Sequence, residues 1–144
     1  MGIPENAPLL ITYNFLAPPE VVFDAWVKPD LVRKWLFVGP ASEIINAEID
    51  LKAEGKYSLL ELEKSTNEQI DYYGEYIEID RPNKLVFSLF VPKHFPGESI
   101  ITVHIEPDDE GCKLSLVQTG DAKGITRESW QKMLEQLKLS LETW

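Results

Sequence analysis

The chain of 144 residues is short of the residue types on which most catalytic and nucleic-acid-binding sites depend. Its one cysteine, Cys112, rules out an intrachain disulfide and a cysteine-based zinc site, and makes a reducing compartment the natural setting. Its two histidines, His94 and His104, have no metal-ligand spacing to each other or to Cys112, so neither a metal nor a cofactor is expected. Lysine and arginine number 14 against 24 aspartates and glutamates, a net charge of −10. That balance argues against a nucleic-acid backbone and against anionic membrane surfaces. It leaves neutral or cationic small ligands and basic protein surfaces as partners. No apolar run approaches a membrane span and no basic leader opens the chain, so a cytoplasmic location is expected. GxSxG, HExxH and glycine-rich phosphate loops are all missing.

What is present is ordered patterning. The length suits a single domain over residues 1–144, with 1–8 a loose lead-in. Leu9 to Leu16 is rich in branched and aromatic residues and reads as a strand that Pro18-Pro19 ends. Pro19 also suits the first turn of a short helix that puts Val22, Ala25 and Trp26 on one face. Lys28-Pro29 stops it, and Asp30 is the expected cap of a second short helix, LVRKWLF. From Glu43 to Thr119 the period becomes two. Strands are expected over 43–51, 56–64, 69–79, 84–91, 98–106 and 112–119, separated by Gly, Asn, Asp and Pro turns. Loops this short favour antiparallel hairpins.

The last stretch, Ile125 to Trp144, contains no proline or glycine. At 100° per residue, Trp130, Met133, Leu134, Leu137, Leu141 and Trp144 form one apolar stripe, with Leu139 on the opposite side. Thr126 can cap this helix, which would be about 28 Å long. A stripe of that length needs a curved sheet to cover it. The plan is α+β.

Several phrases carry a more specific likeness: Pro18-Pro19-Glu20-Val21-Val22-Phe23-Asp24-Ala25-Trp26, Lys28-Pro29-Asp30-Leu31 leading to Trp35, and Tyr73-Gly74-Glu75-Tyr76 running on to Arg81-Pro82-Asn83-Lys84-Leu85-Val86-Phe87. With Gly111 to Leu116 and Trp130 to Leu137, they make the chain resemble the START-like, helix-grip superfamily (SRPBCC). Within it, the chain is most similar to the family of activators of the heat-shock protein 90 ATPase. The resemblance implies a curved antiparallel sheet of six to seven strands wrapped around a long C-terminal helix, with two short helices after the first strand. It also implies a cavity between sheet and helix. Two details depart from the pattern: Leu36-Phe37 stands where a second Trp is usual, and Glu54-Gly55 where two glycines are usual. Each bears on the mouth of that cavity.

The candidate cavity-lining residues are Trp35, Phe37, Tyr57, Tyr73, Glu75, Phe87, Trp130, Met133, Leu134 and Leu137. Aromatic sets of this kind line apolar pockets, and they fill ordinary cores equally well. Glu75 shares its phase with Tyr73, Ile77 and Ile79. One phase makes it a cavity acid, and the other turns Tyr76 inward and Glu75 to water. His94 falls in a loop and His104 on a solvent-facing phase, and Cys112 reads as a small core residue. No catalytic constellation emerges. The expected function is therefore non-enzymatic binding of a small hydrophobic molecule between sheet and helix. The resemblance supplies two alternatives: a chaperone-regulating or other interaction module, and a cyclase or aromatase using cavity acids. Exposed apolar side chains at Leu139, Val86 and Phe90 would suit a homodimer or a chaperone contact.

Overall fold

The alternation that begins at Ser42 is cut by short turns into six consecutive strands, and the first strand of the chain joins them at one edge. A computed structural model describes residues 8–120 and 124–142. Trp144 and nearly all of the expected lead-in lie outside them. The strands are β1 (Leu9–Phe15), β2 (Ser42–Ile49), β3 (Lys56–Glu63), β4 (Glu68–Asp80), β5 (Lys84–Leu89), β6 (Ser99–Pro107) and β7 (Cys112–Gly120). All neighbours are antiparallel, in the order β1-β7-β6-β5-β4-β3-β2. Bulges between Ile44 and Asn46 and between Tyr76 and Glu78 bend the sheet. The concave face this creates is where the helix lies.

Because β1 and β2 occupy opposite edges, the segment joining them must cross the whole sheet. It does so as α1 (Pro19–Val27) and α2 (Pro29–Val32). Pro19 takes the first turn of α1, where its missing N–H costs nothing. Val22, Phe23, Ala25 and Trp26 are buried from this helix. The second helix is shorter than the sequence suggests and starts two residues earlier. Lys28 stands at its N-terminus and Pro29 in its first turn, so Asp30 is inside the helix and makes no capping bond. Beyond Val32 the chain continues in tight turns, with the Trp35 and Leu36 amides both donating to the Val32 carbonyl.

The closing helix, α3, runs Arg127–Glu142. The Thr126 hydroxyl accepts from the Ser129 amide at 3.1 Å and so caps it. Trp130, Met133, Leu134 and Leu137 are buried, and Leu141 packs at the margin of the core. Burying side chains of this size contributes about 1.5–3 kcal/mol each, well above what helix propensity supplies. The start of α3 is fixed from β7. The Gln118 side chain donates to the Ile125 carbonyl at 2.8 Å and accepts from the Ile125 amide at 3.0 Å and the Trp130 indole at 3.1 Å.

Two of the apolar side chains expected to be exposed on the outer face are largely covered. Val86 is 9% exposed, standing in register between Glu78 and Thr102. Phe90 is half-buried because it stacks on Tyr73, with ring centroids 5.4 Å apart. Leu139, at 49%, is exposed as its position opposite the stripe requires.

Candidate functional site

Inside the sheet the aromatic residues pack on one another. Trp26 meets Trp35 edge to face at 4.6 Å and lies 6.2 Å from both Trp130 and Phe87. Phe37 lies 6.0 Å from Trp130, and Tyr57 meets Phe87 edge to face at 5.5 Å. The Trp35 indole donates to the Ala25 carbonyl at 2.9 Å, which ties α1 to the turn after α2. The structure thus brings together Trp35, Phe37, Tyr57, Phe87, Trp130, Met133, Leu134 and Leu137, largely as filled core. The void among Trp26, Tyr57, Tyr76 and Phe87 measures about 10 Å³, which is far too small for an organic ligand.

Two candidates lie elsewhere. Tyr73 is 41% exposed and Glu75 is also exposed, both on the outer face of β4. The reason is the phase of that strand: Ile70, Tyr72, Gly74 and Tyr76 point inward and bury two rings. Gly74 pairs with Tyr57, and a Cβ there would collide with the Ser88 carbonyl, so strands β4 and β5 pinch together at this point. The Tyr57 hydroxyl donates to that same carbonyl at 2.7 Å. Glu75 keeps only its backbone in the arrangement, its amide donating to the Ser88 hydroxyl at 2.9 Å. It is not a cavity acid.

Open space lies beside the helix stripe. A groove of about 650 Å³ runs between one flank of α3, from Ser129 to Leu139, the turn at residues 37–40 and the inward side of β3 and β4. Its walls include Phe37, Glu61, Tyr72, His94, Ser129, Lys132, Met133, Gln136 and Leu139. Phe37 has a positive φ of 59°, a conformation costly for a residue with a side chain. Its amide donates to the Met133 sulfur at 3.1 Å, and its ring stacks on Tyr72 at 4.3 Å and 3°.

A polar circuit closes around this stack. The Gly39 amide donates to the Ser42 hydroxyl at 2.8 Å, and that hydroxyl donates to Glu61 Oε2 at 2.6 Å. The Tyr72 hydroxyl donates to Glu61 Oε1 at 2.7 Å. Burial, then the hydrogen bond to Glu61 and its charge, push the Tyr72 hydroxyl far above its ordinary range. Glu61 is 7% exposed. Neither Glu61 nor Tyr72 is among the residues that the sequence marks as cavity-lining candidates, although it carries a signal for Glu61. In Tyr57-Ser58-Leu59-Leu60-Glu61 the carboxylate shares the inward phase of Tyr57 and Leu59. A charge on the apolar phase of a strand is the mark of a special position.

His94 follows β5 in a loop, its ring 6.5 Å from that of Tyr72. His104 is exposed on β6, and Cys112 is buried. Among the described residues no three His, Cys, Asp or Glu side chains gather as metal ligands. No helix among them is long and apolar enough to cross a membrane.

Comparison with known proteins adds a family. A model described as "Activator of Hsp90 ATPase homolog 1-like protein" matches residues 16–142, which include every groove residue named above. A crystal structure from Chromobacterium violaceum is 26% identical, with a TM-score of 0.85 over 95% of this chain and 98% of that one. A Rhodobacter sphaeroides protein is 17% identical, with a TM-score of 0.86 over 98% and 95%. The AHSA1-like protein from Aeromonas hydrophila is 17% identical, with a TM-score of 0.78 over 94% and 92%. The last two are likenesses of fold. None of the curated proteins matches the chain at a significant level.

Proposed function

Since this chain belongs to the family of activator of Hsp90 ATPase homolog 1-like proteins, with the helix-grip fold, we propose that it is a non-enzymatic binding protein. Its ligand is a small, largely apolar molecule held in the groove beside α3. The observation that carries this reading is the groove itself, about 650 Å³ and lined by Phe37, Tyr72 and Met133. That volume lies within the roughly 300–1,000 Å³ common for small-molecule sites. The strained Phe37 supports it further, because such conformations cluster at ligand clamps. The lone thiol of Cys112 fits a cytoplasmic setting for this binding.

The test is a calorimetric screen of small aromatic and aliphatic amphiphiles against the wild-type protein and Gln136→Trp. Gln136 is exposed and lines the groove, so a tryptophan there fills space without touching the core. Binding to the wild type with at least a tenfold loss in the variant is expected. Equal binding by both proteins, or binding of nothing by the wild type, would overturn the reading.

A further inference from the structure

We propose that Glu61 is the anchor for a protonated amine on the ligand, so that the groove selects small cationic amphiphiles. This rests on the groove reading above and adds a ligand class to it. Glu61 is a buried carboxylate facing a groove large enough for an organic molecule. Two hydroxyls, from Ser42 and Tyr72, donate to it, one to each oxygen. A carboxylate has about four acceptor positions, so capacity remains on both oxygens. No cationic nitrogen among the described residues lies within ion-pair distance of it. The ion pairs among the described residues are Asp24 with Lys28 and Arg81, Asp50 with Lys52, Glu78 with Lys84 and Glu68 with Lys93.

The local architecture does not call for this charge. A glutamine at position 61 would accept from Tyr72 through its carbonyl and donate to Ser42 through its amide, closing the same circuit. Burying an anion instead is costly unless it is paired. An ammonium group reaching the floor of the groove supplies that pairing. Among the groove's formally charged side chains, the carboxylates of Glu61 and Glu135 outnumber the single ammonium of Lys132. The whole chain, at −10, draws cations toward it.

The experiment compares three 1-substituted naphthalene probes by calorimetry: 1-naphthylmethylammonium, the methyl ether of 1-naphthylmethanol, and 1-naphthoate. The wild-type protein should bind the ammonium at least tenfold more tightly than the ether, with the carboxylate weakest. Glu61→Gln should bring the ammonium to within threefold of the ether. If the wild type binds ammonium and ether equally, the anchor is wrong and the groove reading stands. If Glu61→Gln keeps the full preference for ammonium, the charge responsible lies elsewhere and the anchor is again wrong. Failure of all three probes on the wild type would overturn the groove reading and this inference together. Should Glu61→Gln not fold, the wild-type contrast between ammonium and ether decides by itself.

Discussion

The backbone amide of Phe37 donates to the thioether sulfur of Met133 at 3.1 Å, joining positions 96 residues apart. Phe37 sits in a backbone conformation that disfavours any side chain, and this bond helps hold it there. The ring then lies flat on Tyr72, which in turn holds Glu61. One methionine of the closing helix thus helps set the shape of the groove's floor.

Met133→Leu keeps the volume but removes the acceptor. It should cost about 1 kcal/mol, at the lower end of the penalty for stranding a buried amide, since sulfur is a weak acceptor. Met133→Ala should cost more, about 2–5 kcal/mol, by also opening a cavity. Urea denaturation of the two variants measures both, and a leucine variant as stable as the wild type would dismiss the sulfur bond.

Gln118→Leu should cost at least about 2 kcal/mol. It leaves the Trp130 indole N–H and both backbone groups of Ile125 without the partner they share. The loss should appear in thermal melts, with the near-ultraviolet circular dichroism of Trp130 broadening before the sheet unfolds. Simultaneous loss of both signals at the wild-type midpoint would contradict the clamp.

Stability should fall in alkali. Tyr57, Tyr72 and Tyr76 are all held neutral above the ordinary range, each chiefly by burial. A pKa raised in the folded state means that the unfolded chain gives up its protons first. This stabilisation is therefore complete below about pH 10 and declines as pH climbs above it. Absorbance at 295 nm should show these three tyrosines ionising only together with unfolding. A gradual ionisation of all tyrosines in the intact fold would be the contrary result.

Cys112 should be inert in the native protein. It is buried, and burial, aided by Asp108 and Glu20, raises its thiol to about 11. Ellman's reagent at pH 8 should label less than a tenth of the protein within an hour and all of it in denaturant. Prompt labelling of the folded protein would show that the end of β7 opens.

Much of this architecture is legible in the sequence. Period-two alternation and turns rich in Gly, Asn, Asp and Pro mark all seven strands to within a few residues, and the stripe from Trp130 to Leu137 marks the closing helix. The phase of β4 is not legible, because Tyr72, Tyr73 and Tyr76 put rings on both faces, and only the pinch at Gly74 shows which face goes in. The positive φ of Phe37 is hidden for a related reason, since no glycine or asparagine announces it. Whether an aromatic set fills a core or surrounds a space depends on how rings meet in three dimensions. Here Trp26, Trp35 and Trp130 close the centre, and the space moves to the end where Phe37 turns. Glu61 does leave a mark in the sequence, a charge standing in line with Tyr57 and Leu59.

The strand order has a kinetic consequence. β1 pairs with β7, Leu9 opposite Gln118, so the first strand of this sheet to be synthesised waits for a partner over a hundred residues downstream. Chains dominated by such distant pairings fold in roughly milliseconds to seconds, slower than helical proteins of equal size. Translation at roughly 5–20 residues per second delays the partner by at least several seconds more. Throughout that interval the β1 segment, Leu9–Phe15, has no neighbour on β7 to pair with. The meander of β2 to β6 can assemble as it emerges from the ribosome, but the edge made first is completed last.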